Sequence, residues 1–196
     1  MAHTFLPFDY AVHDWFVSLR GDTLTSFFKF VTLFGSWGVI VPVTVCVSIF
    51  LYRKHFVASV FGLWVTLVSA EATTFVLKLI IARPRPFGGL VPEDDFSFPS
   101  GHATIAVAFY GFMVFILIQY TRERWLKNVT VGLAVIFALL IGISRLYLGV
   151  HYLSDIVAGY VVGSCGLLAG IYAYVYCNRL DTLLPPSPKL HQNGVY

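Results

Sequence analysis

Long apolar runs separated by short polar stretches dominate the chain. The first, residues 37–52, contains no charged side chain and ends at Arg53-Lys54-His55. Further apolar runs cover residues 56–81, 101–120, 129–143 and 152–177. The hydrocarbon core of a bilayer is about 30 Å thick and needs roughly 20 apolar residues per helix. The pattern therefore predicts five membrane-spanning helices.

Residues 8–34 differ from these runs because charged and aromatic side chains are mixed there. The charged residues are Asp9, Asp14, Arg20, Asp22 and Lys29, and the aromatic ones include Trp15, Phe16, Phe27, Phe28 and Phe30. Such a mixture is typical of amphipathic helices that lie at a membrane surface. We predict a single domain, 1–196, with interfacial helices over 1–36, a transmembrane bundle over 37–177 and a flexible tail over 178–196.

Composition agrees with this pattern. Of 196 residues, 58% are hydrophobic and only 12% are charged, and the mean hydropathy is +0.78. About a quarter of the residues in an average soluble domain are charged. The predicted class is therefore an all-α, polytopic membrane protein. The net charge of +3 is spread over the loops, which argues against a nucleic-acid partner.

The basic residues between the runs predict the topology. Arg53-Lys54, the segment from Arg122 to Lys127, and Arg179 all fall on one side when the crossings are counted. Loops rich in Lys and Arg stay in the cytoplasm. We therefore predict that the protein lies in the plasma or inner membrane and that these loops are cytoplasmic. The opposite ends of the spans, and the amino terminus, then face outward.

Three polar clusters interrupt the apolar chain, and all fall at the outward ends of the spans. They are Lys78 with Arg85-Pro86, then Pro99-Ser100-Gly101-His102, and finally Ser144-Arg145 with His151 and Asp155. Their order and spacing resemble the type 2 phosphatidic acid phosphatase (PAP2) family at every fixed position. The resemblance implies a helical core shared with the haloperoxidases and an active site assembled from all three clusters.

The residue types suit a phosphate site. Arg85 and Arg145 can each hold two phosphate oxygens with a planar guanidinium group, and Lys78 adds a point charge. Ser100 and the backbone amides that begin with Gly101 would supply aligned donors at a helix start. We predict that these five residues bind the phosphate.

Histidines supply the groups that can react. His151 and Asp155 are four residues apart, so on one helix they would share a face, and Asp155 could accept from one ring nitrogen. By the resemblance, His151 attacks phosphorus to form a phosphohistidine. His102 protonates the leaving oxygen and then activates water. The cations already provide the charge that a metal would provide, so we expect neither a metal nor another cofactor.

Taken singly, each cluster has a simpler interpretation. A Lys near the end of a span often only anchors the helix at the interface, and Pro-Ser-Gly can be an ordinary helix cap. Six ionisable residues at one membrane face favour a functional site, because charge near lipid is costly. Glu71 is expected to pair with a polar group on a neighbouring helix. Arg83 is expected either to help bind phosphate or to face lipid headgroups.

The resemblance implies a phosphorylated lipid as substrate and partner. Phosphatidic acid, phosphatidylglycerol phosphate and undecaprenyl diphosphate all remain open. One alternative is a phosphatase for a soluble sugar phosphate, of the glucose-6-phosphatase type. Another is a transporter or scaffold that binds phosphorylated lipid without hydrolysing it. Since relatives carry an additional first span, fusion to, or association with, another membrane domain also remains open.

Overall fold

The computed structural model describes residues 7–183, and within them all regular structure is helical. Four elements precede the central loop, which joins the fourth helix to the fifth. They are α1 (Pro7–Ser18), α2 (Asp22–Leu33), α3 (Trp37–Arg53) and α4 (Val57–Ile81). After the loop come α5 (Gly101–Ile105), a π-helical turn (Ala106–Tyr110), α6 (Gly111–Tyr120), α7 (Arg124–Tyr147) and α8 (Leu153–Leu183). The all-α prediction is confirmed. The predicted tail lies mostly outside the described residues.

Five helical segments are long and apolar enough to span a membrane, as predicted. They are Asp22–Arg53, Val57–Ile81, Gly101–Tyr120, Arg124–Tyr147 and Leu153–Leu180. The bounds of two segments differ most from the prediction. The first segment includes α2, because α2 and α3 are separated only by a break at residues 34–36. The fourth is longer at both ends because helix continues into its polar flanks. The interfacial position of residues 1–36 stays a prediction.

The centre of the bundle is the close packing of α4 on α8. A methyl group at Gly166 would lie 2.7 Å from the Cβ of Ala70 and 3.0 Å from the carbonyl oxygen of Thr66. In lipid, where helices gain little from burying apolar surface, such small residues let two backbones approach and gain dispersion contacts. This close contact depends on glycines of α8 such as Gly166. It holds the end of α4 beside the start of α8.

A second glycine contact places α5 next to α8. A methyl group at Gly159 would lie 2.7 Å from the carbonyl oxygen of Ser100. The backbone amide of Ser100 in turn donates to the carbonyl of Asp155 at 3.0 Å. At the end of the π-helical turn that follows α5, the Tyr110 hydroxyl donates to the carbonyl of Phe34 at 2.8 Å and ties the α2–α3 break to the bundle. Three polar clusters that are distant in sequence thus meet at one end.

The amino-terminal helices pack against this same end. The hydroxyl of Tyr147, at the end of α7, accepts from the Gly21 amide at 3.0 Å and lies 3.2 Å from the Thr25 hydroxyl. Arg20 donates to the carbonyl of Gly88 at 2.9 Å. Helices α1 and α2 are therefore fixed to the central loop and to α7, which sequence reasoning did not anticipate.

The loop between α4 and α5 is irregular, as its prolines predict, but it is not simply exposed. Arg83 is 7% exposed and Ser97 is fully buried. The Ser97 amide donates to the Arg83 carbonyl at 2.9 Å, and the Leu90 amide donates to the Leu148 carbonyl at 2.8 Å. Parts of the loop are therefore held in place, because backbone groups of the loop are paired with one another and with the α7–α8 connection.

Candidate active site

A cavity of about 240 Å³ opens where α4 ends and where α5 and α8 begin. It is lined by Gly35, Trp37, Glu71, Thr74, Phe75, Lys78, Arg85, Glu93, Asp95, Gly101, His102 and His151. Five of the eight predicted site residues belong to this lining. Both imidazoles therefore face the same space, which is the arrangement that a shared phosphate requires.

The other three predicted residues, Ser100, Arg145 and Asp155, lie behind the lining. Each is 1% exposed or less. The Ser100 hydroxyl caps α5 by accepting from the Ala103 amide at 3.5 Å, as expected for the residue that directly precedes a helix. Ser100 thus orients the helix start, and its role as a direct phosphate contact stays a prediction.

Two carboxylates from the central loop, those of Glu93 and Asp95, form ion pairs with the predicted phosphate-binding cations. Lys78 donates to Asp95 at 2.6 Å and to the Phe96 carbonyl at 2.6 Å. Arg85 contacts the carboxylate of Asp95 and lies 3.3 Å from that of Glu93. Arg145 contacts Glu93 on its other oxygen. All three predicted phosphate-binding cations are therefore paired with Glu93, Asp95 or both, an arrangement that sequence reasoning missed.

Burial raises the pKa of Asp95, but hydrogen bonds from Lys78 and Arg85 act more strongly and hold it below the ordinary value. Asp95 is therefore an anion at neutral pH. An anion held by two cations at the cavity resembles a bound phosphate oxygen in charge and hydrogen bonding. Glu93 and Asp95 are thus paired with the cations that the sequence predicts to bind phosphate.

His151 lies between a guanidinium group and a carboxylate. Its Nε2 is 3.1 Å from Nη1 of Arg85, and its Nδ1 is 3.4 Å from Oδ2 of Asp155. A guanidinium group can only donate, so Nε2 accepts and the proton of the neutral ring is assigned to Nδ1, facing Asp155. This assignment leaves Nε2 as the nitrogen with the lone pair, and that lone pair accepts from Arg85 at the wall of the cavity.

The geometry of this pair corrects one expectation. His151 precedes α8, which begins at Leu153, so the two residues do not share a helical face. At 3.4 Å the contact is also longer than an ordinary N–H···O bond. Asp155 instead caps the helix start by accepting from the Tyr152 amide at 2.9 Å. The imidazole is placed beside the carboxylate by the turn before the helix.

Asp155 is itself held by an ion pair that was not predicted. Arg83 donates to Asp155 at 2.5 Å and to Asp9 of α1 at 2.8 Å, and all three side chains are buried. Ser154 adds a hydrogen bond to Asp9 at 2.6 Å. Arg83 therefore takes neither expected role. It joins the first helix to the carboxylate beside His151, and no local sequence pattern marks Asp9 as its partner.

Glu71 also departs from expectation. It lines the cavity, but its Oε1 is buried and makes no hydrogen bond within the part of the chain that the structure describes. The expected pairing with a neighbouring helix is therefore wrong for this oxygen. A buried polar atom without a partner costs free energy unless a ligand or water satisfies it.

Gly101 offers a direct test of how closely a ligand approaches the backbone. A methyl group there would meet no protein atom within 4 Å, yet Gly101 lines the cavity. We expect Gly101→Ala to fold normally but to lower kcat/KM by about tenfold to a hundredfold, because the methyl group displaces the phosphate. Gly132→Ala on α7, which also meets no atom within 4 Å, is the matched control. Equal activity of the two variants would contradict the assignment.

The charge around His151 predicts a pH effect. Burial, then the charges of Arg145, Arg85 and Lys78, lower the pKa of His151 well below its ordinary value. The neutral ring therefore persists to lower pH. Removing one charge in Lys78→Met should raise that pKa, so the acidic limb of kcat/KM should move to higher pH than in the wild type. Substrate ionisation is the same for both proteins, so an unshifted limb would count against His151 as the titrating group.

Comparison with known proteins agrees with this geometry. The sequence profile of the PAP2 superfamily matches residues 59–179. The chain is 34% identical over 164 residues to phosphatidylglycerophosphatase B of Bacillus subtilis strain 168, covering 79% of this chain and 77% of that protein. It is 33% identical over 150 residues to undecaprenyl-diphosphatase of Sulfolobus acidocaldarius, covering 72% and 66%. Both names describe phosphatases of phosphorylated lipids.

A solved structure shares the fold. The crystal structure of a transmembrane PAP2-type phosphatidylglycerolphosphate phosphatase from Bacillus subtilis superimposes with a TM-score of 0.75 at 30% identity. The match covers 88% of this chain and 85% of that one. These findings define an integral membrane protein with a PAP2-type helical core. The chain belongs to the PAP2 superfamily, which confirms the resemblance seen in its sequence.

Proposed function

We propose that this protein is a membrane lipid phosphatase that forms a phosphohistidine at His151. The observation that carries the proposal is one cavity lined by two imidazoles and two cations, with a third cation, Arg145, directly behind it. Phosphoryl transfer needs alignment, charge stabilisation and a nucleophile, and these side chains supply all three. Candidate substrates include the lipids named for the relatives, a phosphatidylglycerol phosphate and undecaprenyl diphosphate, and also phosphatidic acid.

An apolar groove beside the cavity favours a lipid over a soluble sugar phosphate. The groove, of about 310 Å³, is lined by Trp37, Ile40, Val41, Thr44, Trp64, Leu67, Val68, Glu71 and Ala72. Trp37 and Glu71 also line the cavity, so the two spaces adjoin. A phosphate group in the cavity would therefore have a path for its hydrocarbon chain between α3 and α4, open to the bilayer.

In the proposed first step, the phosphate displaces Glu93 and Asp95 from the cations. Nη1 of Arg85 moves from Nε2 of His151 to a phosphate oxygen, and the freed lone pair on Nε2 attacks phosphorus as the bond to the lipid oxygen breaks. That oxygen takes a proton from the imidazolium form of His102, and the cations stabilise the charge on the phosphoryl oxygens. The products are a free lipid alcohol, or a lipid monophosphate from a diphosphate, and phosphohistidine.

In the second step, neutral His102 takes a proton from water while the water oxygen attacks phosphorus. The bond from phosphorus to Nε2 breaks, and its electron pair returns to His151. Inorganic phosphate then leaves. Asp155 keeps the Nδ1 proton of His151 directed away from phosphorus throughout. We propose that no metal takes part, so a chelator should leave the rate unchanged.

The positive-inside pattern supports an outward-facing site. The cavity lies at the end of the bundle opposite Arg53-Lys54 and the segment from Arg122 to Lys127. We propose that these basic loops are cytoplasmic and that substrate enters from the outer leaflet. Labelling of single cysteines placed in each loop with a membrane-impermeant reagent in intact cells would test this orientation.

The proposed function is tested by phosphate release from a substrate panel. Purified, folded protein should hydrolyse at least one of phosphatidic acid, phosphatidylglycerol phosphate and undecaprenyl diphosphate, and glucose 6-phosphate should be a poor substrate. A preference for the sugar phosphate would favour the alternative enzyme. Binding of phosphorylated lipid without any hydrolysis would favour a transporter or scaffold.

The carboxylate of Asp95 in the central loop yields a further prediction. Asp95→Asn should lower KM by about threefold to tenfold and strengthen inhibition by inorganic phosphate, because the incoming anion no longer competes with this carboxylate. Asp94→Asn changes the neighbouring exposed acid and serves as the control. If Asp95→Asn raises KM, or if both variants behave alike, Asp95 does not compete with phosphate.

A further inference from the structure

Two polar side chains in the apolar groove lack partners. Oε1 of Glu71 and Oγ1 of Thr44 are buried and make no hydrogen bond among residues 7–183. Thr44 is 1% exposed, and both residues line the groove. Each buried polar atom without a partner costs free energy, and a carboxyl group beside lipid is costly for the same reason. Such atoms are retained at low cost if a bound molecule supplies the missing hydrogen bonds.

Their position defines what that molecule must contain. Glu71 precedes Lys78 by seven residues on α4, which places it about 10 Å deeper along the helix. Thr44 follows Trp37 by seven residues on α3, at a comparable depth from the cavity. A lipid whose phosphate contacts Lys78 would therefore present, near Glu71 and Thr44, whatever links the phosphate to its chains.

We propose that Glu71 and Thr44 hydrogen-bond this polar linker, so that the enzyme prefers ester-linked glycerolipid phosphates to lipids with an unbroken hydrocarbon chain. One ester carbonyl accepts from the Thr44 hydroxyl, and a second accepts from the Glu71 carboxyl group in its protonated form. A polyprenyl or alkyl chain offers neither, and it would leave both groups unsatisfied. This inference rests on the proposed function and adds the substrate class.

The test compares a phosphate monoester that contains the ester linker with one that lacks it, and the variants then isolate the contribution of the linker. Kinetics are measured on phosphatidic acid and on hexadecyl phosphate, in the same detergent, for wild type, Glu71→Leu, Glu71→Gln and Thr44→Val. We expect the wild type to prefer phosphatidic acid. Glu71→Leu should lower kcat/KM on phosphatidic acid by about tenfold, and Thr44→Val by about threefold, with little loss on hexadecyl phosphate. Glu71→Gln, which retains hydrogen bonding, should recover most of the preference.

Control variants separate specificity from stability. Thr73→Val replaces an exposed threonine on α4 that lies outside the groove, and it should leave the preference unchanged. If the wild type hydrolyses none of the two monoesters, phosphatidylglycerol phosphate and undecaprenyl diphosphate, the proposed function itself fails. If the wild type is active but Glu71→Leu and Thr44→Val keep its substrate ratio, or if Thr73→Val changes that ratio equally, this inference is overturned.

Discussion

Replacing His151 with alanine is expected to abolish phosphate release from every lipid substrate. The loss should be at least about 10⁴-fold in kcat, because in the proposed mechanism the phosphoryl group is transferred through Nε2 of His151. Lipid binding should persist, since Lys78, Arg85 and Arg145 remain. The measurement is phosphate release from phosphatidic acid and undecaprenyl diphosphate, together with binding of the same lipids to the variant.

Two further variants make this result specific. His151→Asn is closer in size and polarity to histidine and should be equally inactive, which would show that the loss is chemical and not a packing defect. His55→Asn changes an exposed imidazole at the opposite end of the bundle and should retain full activity. Retention of even a tenth of the wild-type rate in both His151 variants would rule out His151 as the nucleophile.

Replacing His102 with alanine should harm monoester cleavage far more than diphosphate cleavage. A monoester expels an alkoxide, which needs a proton, whereas a diphosphate expels a phosphate that is already stable as an anion. Single-turnover release of the leaving group should fall by about 10² to 10⁴-fold for farnesyl monophosphate, but by less than about tenfold for farnesyl diphosphate. The two substrates share one chain, so binding in the groove is matched.

The second step separates the two roles of His102. In His102→Ala, phosphoenzyme formed from the diphosphate should accumulate, because the group that activates water is missing. His102 lines the cavity and packs closely against Gly35, so a test of correct folding must accompany the kinetics. Equal losses of leaving-group release on both substrates would argue against His102 as the acid.

Much of the fold could be predicted because its main signal is local. Apolar runs of about 20 residues identify spans directly, since every backbone polar group in lipid must be bonded within its own helix. The same reasoning did not foresee that α2 continues towards α3 into one long apolar segment, Asp22–Arg53. Charged residues such as Asp22 and Lys29 are typical of a helix at the membrane surface. A count of charged residues does not distinguish such a helix from a spanning segment that is polar only in its first turns.

The candidate site was predictable only where residues follow a fixed spacing. Spacing identified Lys78, Arg85, Arg145 and both histidines, and the structure brings them together. It could not identify Asp9, whose partner Arg83 is 74 residues away, nor the carboxylates of Glu93 and Asp95. Those contacts depend on how an irregular loop and an amino-terminal helix fold back on the bundle, which no periodicity encodes.

The buried connection from Asp9 through Arg83 to Asp155 gives the amino-terminal helix a structural role at the site. Burial raises the pKa of Asp9, but hydrogen bonds from Ser154 and Arg83 outweigh it and hold that pKa below the ordinary value. Asp9 is therefore charged at neutral pH and balances Arg83 together with Asp155. Breaking a buried pair of this kind leaves an uncompensated charge, so α1 and the carboxylate beside His151 are energetically linked.

The most direct test of the central claim is to trap the phosphoenzyme. Wild-type protein and His102→Ala are mixed with ³²P-labelled undecaprenyl diphosphate, quenched in alkali and mapped by peptide mass spectrometry. The account predicts an acid-labile, alkali-stable phosphate on His151 that accumulates in His102→Ala and is absent from His151→Asn. Turnover in which no label is trapped on His151, or in which the label lies on another residue, would contradict it.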